Sequence, residues 1–167
     1  MTIYPKAYLK NVREITIDFL KQNNIEALIL DVDNTLIDYN KNLSDEVIKW
    51  ALNLQGQGIK IYILSNSNKH EKVKNVADKI NAPYINFAKK AFKKGFLKVR
   101  ENLKIEEKRI AVVGDQIFTD VIGGNRCKMY TILVDPIIQK DFWFTAWKRP
   151  IEDKIKSKIK KENKGEK

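Results

Sequence analysis

Three apolar runs in this chain each end in an acid or a hydroxyl, and that pattern restricts the fold more than any other feature. Glu26-Ala-Leu-Ile-Leu-Asp-Val carries Asp31 near its end, Ile59-Lys-Ile-Tyr-Ile-Leu-Ser stops on Ser65, and Arg109-Ile-Ala-Val-Val-Gly-Asp stops on Asp115. Short, continuous apolar runs rich in β-branched residues read as strands buried on both faces. Met129-Tyr-Thr-Ile-Leu-Val reads as a fourth.

Between the strands lie segments of helical period. Val47, Ile48, Ala51, Leu52 and Leu54 recur at three and four, as do Val73, Val76, Ala77 and Ile80, and then Phe92, Phe96, Val99 and Leu103. Gly56 and Gly58 close the first of these helices, and Gly95 lies within the third. Residues 9–23, with Leu9, Val12, Ile15, Phe19 and Leu20, are also expected to form a helix against the sheet. Alternating strands and helices of this length imply βαβ units: a three-layer α/β, Rossmann-like parallel sheet with helices on both faces. In such sheets ligands bind beyond the carboxyl ends of the strands, where strand order reverses. Asp31, Ser65 and Asp115 are therefore expected at one rim.

The 167 residues suffice for one core. Residues 1–136 are expected to form the domain, and 137–167 an aromatic, then basic, C-terminal segment. No apolar run approaches a membrane span, and the start lacks the pattern of a secretory signal. Cys127 is the only cysteine, so no internal disulfide can form, and a cytoplasmic protein is expected. Lysine and arginine total 32 against 21 aspartate and glutamate, leaving +11, and residues 148–167 alone carry +5. Such a surface attracts anions: nucleic acid, lipid or small molecules.

The chemistry is concentrated in four places. Asp31 and Asp33, two residues apart on an extended chain, repel unless a cation lies between them. Magnesium suits one or two carboxylates plus water and phosphate oxygens. One carboxylate can then attack phosphorus while its neighbour moves protons. The plainer reading is that the two acids cap a loop. Ser65-Asn66 offers a hydroxyl and backbone N–H groups to a phosphoryl oxygen, although Leu-Ser-Asn-Ser-Asn is also an ordinary turn. Gly114-Asp115 with Asp120 five residues on supplies a third acid and a supporting one, or simply compensates a helix dipole. Among Lys89, Lys90, Lys93 and Lys94, one lysine is expected to reach the bound phosphate; Lys90 is the choice and Lys89 the alternative.

These pieces, Asp31-Val-Asp33-Asn-Thr-Leu, Ser65-Asn66, a lysine, and Gly114-Asp115 followed by Asp120, resemble the haloacid dehalogenase (HAD) phosphatases in order and spacing. With Thr119-Asp120-Val-Ile-Gly-Gly-Asn-Arg126 the chain looks like the subclass IIIA group called the YqeG family, itself similar to phosphatidylglycerophosphate phosphatases. The resemblance covers about residues 5–150. It implies that Asp31 is the nucleophile and Asp33 the acid/base, that Ser65 and Lys90 bind phosphate, and that Asp31, the Asp33 backbone carbonyl and Asp115 hold magnesium with Asp120 in support. The family carries proline after the motif lysine, whereas Ala91 follows Lys90 here. Only 31 residues separate Asp33 from Ser65 and 24 separate Ser65 from Lys90, too few for the cap domain of many relatives. An open site suits a bulky phosphomonoester such as phosphatidylglycerophosphate; a sugar, nucleotide or macromolecular phosphate is the alternative substrate.

Three features lie outside that set. His70, the lone histidine, is expected at the surface. The segment from Phe142 to Trp147, followed by Ile151, Ile155 and Ile159 among lysines, suits either an interfacial helix on anionic lipid or a core-completing end with a solvated tail. A basic module binding RNA or the ribosome without turnover is the contrasting reading. The clustered acids oppose it, because they repel a polyanion.

Overall fold

The computed structural model describes residues 3–88, 93–137 and 149–165. Six parallel strands form one sheet: β1 (Ala7–Leu9), β2 (Ala27–Leu30), β3 (Lys60–Leu64), β4 (Tyr84–Ile85), β5 (Ile110–Gly114) and β6 (Tyr130–Val134). Their spatial order is β1-β6-β5-β2-β3-β4. From β2 the chain winds outward through β3 to β4, then returns to β5 on the other side, so strand order reverses at β2. The register pairs Leu30 with Ile63 on one side and Val113 on the other, which aligns the ends of β2, β3 and β5. The expected three-layer parallel fold is present.

Its helices are α1 (Ile17–Gln22), α2 (Asp45–Gly56), α3 (His70–Ile80), α4 (Lys94–Leu103), α5 (Ile122–Arg126) and α6 (Arg149–Gly165). The larger core joins α2 and α3 to one sheet face through Val47, Ala51, Val73, Val76 and Ile80. On the opposite face Phe96, Val99 and Leu103 of α4 pack on Ile29, Leu64 and Val112. Local signals set the helix ends. The Ser44 hydroxyl accepts from Val47 N–H (3.2 Å) and starts α2, while Gly58 takes φ +94° after its end. Gly124 of α5 lies so close to the sheet that a Cβ there would come within 2.6 Å of Thr131.

One expectation is corrected. Residues 9–23 form no continuous helix: Leu9 ends β1, Val12–Glu14 make a 3-10 turn capped by Asn11, and Thr16 caps the short α1. The Ile15 carbonyl, between the two, accepts from Trp50 Nε1 at 2.9 Å instead of from a helical neighbour. Of the two alternatives for the C-terminal segment, the core-completing one describes Ile155 and Ile159 of α6, which are buried with Ile3, Tyr4, Tyr8, Ile117, Val121 and Leu133. Phe142–Trp147 lies outside the described residues. Among the described residues no helix is long and apolar enough to cross a membrane.

Candidate active site

β2 ends at Leu30, and the next residues stay in the sheet's register: Asp31 N–H donates to the Val113 carbonyl (3.0 Å). Val32 is buried, and its carbonyl accepts from Thr35, Leu36 and Ile37 in a tight turn with Asn34 at φ 59°. This turn throws Asp31 and Thr35 toward the end of β5. There the chain enters a π-helical turn, Ile117–Val121, before α5. Such wide turns favour functional sites because one extra residue redirects a side chain. Here the redirected side chain is Asp120, while Ile117 and Val121 remain in the core.

The result is a cradle of carboxylates. Asp31, Asp115 and Asp120 each place an oxygen within 4.8 Å of the others. Asp115 is 5% exposed and Asp120 1%. Thr35 Oγ1 donates to Asp115 Oδ1 (3.2 Å), and Gln116 N–H donates to Asp120 Oδ2 (3.3 Å). Gly114 makes the arrangement possible, since a Cβ there would overlap the Asp120 carboxylate. Two unit charges at this separation repel by about 3 kcal/mol at an effective dielectric of about 20, and three pairs by on the order of 10 kcal/mol. An all-oxygen, triply acidic pocket fits a hard divalent cation.

Asp33 differs from its three companions. Its carboxylate turns toward α3, where Lys72 Nζ lies 2.7 and 2.9 Å from its two oxygens. The sequence placed four acids around one cation; the structure brings three together and gives the fourth side chain to a lysine. The Asp33 side chain is 50% exposed, and that of Lys72 only 14%. Lys72 was not singled out from the sequence. Its signal was position: α3 opens immediately after the Ser65 loop and so begins at the same rim.

Ser65 is 1% exposed and fixed from both sides. Its N–H donates to the Ile85 carbonyl, its carbonyl accepts from Ala88 N–H, both at 2.9 Å, and its Oγ accepts from Ser67 N–H at 3.1 Å. Asn66 follows, exposed. Lys89 and Lys90 lie outside the described residues; Lys93 and Lys94 are exposed at the start of α4. His70 is exposed, as expected, and meets the Tyr84 hydroxyl at 2.7 Å. Cys127 is buried, and burial pushes its thiol pKa up, away from thiolate chemistry.

A family model described as Mitochondrial PGP phosphatase matches residues 1–138. The chain is 35% identical over 158 residues to "Probable phosphatase YqeG" of Bacillus subtilis, covering 94% of this chain and 91% of that one. Its fold is similar to that of an uncharacterized protein from Listeria monocytogenes, with TM-score 0.56 and 20% identity over 71% of this chain and 84% of the other. It is also similar to the magnesium-bound HAD-hydrolase YfnB of Bacillus subtilis, with TM-score 0.54 and 12% identity over 70% and 90%.

Proposed function

Since this chain belongs to the mitochondrial PGP phosphatase family and is a phosphatase of the HAD type, we propose that it hydrolyses a phosphomonoester through an aspartyl-phosphate on Asp31. The observation that carries the reading is the Asp31–Asp115–Asp120 cradle at the strand ends, with buried Ser65 ending the neighbouring strand. An Asp31 oxygen attacks phosphorus. The bond to the leaving oxygen breaks as the Asp33 carboxyl delivers its proton there. Asp33 then takes a proton from water, whose oxygen attacks the same phosphorus and frees Asp31 and phosphate. Ser65, Asn66 and a lysine from the 89–90 pair, Lys90 first, steady the phosphoryl oxygens. Asp31, Asp115 and Asp120, with the Asp33 backbone carbonyl, would hold magnesium, which supplies charge neutralisation for those oxygens.

The substrate we favour is phosphatidylglycerophosphate. The family match and the short connections after β2 and β3 support it, since residues 31–44 form only a bridged turn through Asp33, Ile37 and Leu43 and leave the rim open. Hydrolysis of a generic aryl phosphate with added magnesium tests the chemistry. Asp31→Asn should lower the rate at least 1,000-fold, on the scale of losing a nucleophile; a rate equal to that of the wild type would end the reading.

A peripheral contact with anionic membrane accompanies it. With Ile155 and Ile159 turned inward, α6 presents Lys154, Lys158, Lys160 and Lys161 outward. Each lysine near an anionic surface is worth about 1 kcal/mol. Replacing Lys154, Lys158 and Lys161 by Gln should reduce co-sedimentation with phosphatidylglycerol vesicles at least tenfold. Undiminished sedimentation would remove α6 from the contact.

A further inference from the structure

Lys72, which holds Asp33, also lines a groove of about 280 Å³ together with Lys41, Leu43, Asn75, Val76 and Lys79. Lys72, Asn75, Val76 and Lys79 fall at i, i+3, i+4 and i+7 of α3 and so share one helix face. Lys41 and Leu43 come from the turn after β2, which is firmly built. Asp38 accepts from Asn42 N–H (2.8 Å) and Asn42 Nδ2 (3.2 Å), its carbonyl accepts from Lys41 N–H (3.0 Å), and Ile37 bridges to Leu43. Lys41 itself is held at φ 66°, a conformation that non-glycine residues adopt at a cost.

Three lysines thus line one concavity whose lining contains no acid. Among the described residues Lys41 and Lys79 have no carboxylate partner, and the one acid touching the trio is Asp33, through Lys72. Of the acids of α3, Asp78 is paired with Lys74 and Glu71 meets the His70 ring. Like charges gathered in this way favour an anion between them.

We propose that this groove is a second anion subsite, reading a phosphate on the leaving group of the substrate. The inference rests on the phosphatase reading above. An acid/base must touch the leaving oxygen, so whatever lies beyond Asp33 is the body of the leaving group. Lys72 spans the boundary, one side on Asp33 and the other lining the groove. A substrate with a single phosphate fills the cradle alone; one with a second phosphate also engages Lys41, Lys72 and Lys79. Leu43 and Val76 supply apolar wall for a short carbon linker between the two phosphates. A lipid headgroup with an internal phosphodiester and a terminal phosphomonoester has this form.

The test compares three soluble substrates with the purified full chain and magnesium: glycerol 3-phosphate, deacylated phosphatidylglycerophosphate, and fructose 1,6-bisphosphate. The wild type should turn over the deacylated headgroup with kcat/KM at least tenfold above that for glycerol 3-phosphate, mainly through KM. The double variant Lys41→Ala/Lys79→Ala should shrink that ratio to threefold or less, with circular dichroism unchanged. A ratio of one in the wild type, or a ratio that survives the double substitution, would overturn the subsite and leave the phosphatase reading standing. Fructose 1,6-bisphosphate as the preferred substrate would overturn the headgroup assignment. Hydrolysis of none of the three, nor of an aryl phosphate, would sink the underlying reading itself.

Discussion

Two halves of one rim treat negative charge in opposite ways. On the β5 side, Asp115 and Asp120 are almost wholly buried beside Asp31 and accept hydrogen bonds from Thr35 and Gln116. On the α3 side, half-exposed Asp33 is answered by a lysine of the protein itself. The difference teaches how the labour is divided. The carboxylates of the proposed metal cradle are drawn into the sheet's rim, whereas Asp33, the proposed acid/base, stays accessible to solvent beside Lys72.

The comparison breaks most decisively at Asp115. Replacing it with Asn should abolish turnover of an aryl phosphate, a loss of at least 100-fold, and remove the rise in Tm that magnesium gives the wild type. Because one of three repelling charges disappears, the metal-free variant should melt higher than the metal-free wild type. A lower Tm for that variant would show that the cradle is not under electrostatic strain.

Gly114→Ala sharpens the same half by geometry. The new Cβ overlaps the Asp120 carboxylate, so Asp120 must move or the strand must shift. Urea unfolding should report a loss of about 1–3 kcal/mol, typical of overpacking, together with a weaker magnesium response. An unchanged magnesium response would mean that Asp120 does not serve the cradle.

The smallest effect belongs to the other half. Lys72→Met removes a partly exposed ion pair, and such pairs contribute no more than about 1 kcal/mol. The urea midpoint should therefore move little. A loss well beyond 1 kcal/mol would make Lys72 a structural strut and erase the contrast drawn between the two halves.

How far the sequence already disclosed this rim follows from which forces act locally. Asp31, Ser65 and Asp115 could be read because each sits at the end of an apolar run, and parallel register brings the ends of such runs together. Asp120 could be read by its distance from Asp115, though not the π-helical turn that aims it. Strands β1 and β4 could not, being three and two residues long and defined by the neighbours they pair with, Ile132 to Val134 and Ile63 to Leu64. Lys72 could not be told from the other lysines of a basic chain, because in sequence a helix-face lysine that meets an acid looks like one that meets water. The four-residue isoleucine spacing of α6 announced a helix, but whether its apolar side would meet lipid or Tyr4, Tyr8 and Leu133 was a question of tertiary packing.

The wide turn at Ile117–Val121 has a consequence for how this stretch tolerates change. A π turn is an α turn carrying one surplus residue. Deleting Val121 would let the segment close at ordinary α pitch, swinging Asp120 by about 100° relative to α5. Substitutions there trade one contact for another, but that single-codon deletion would carry Asp120 off the rim. At this point the gene is constrained in length before it is constrained in composition.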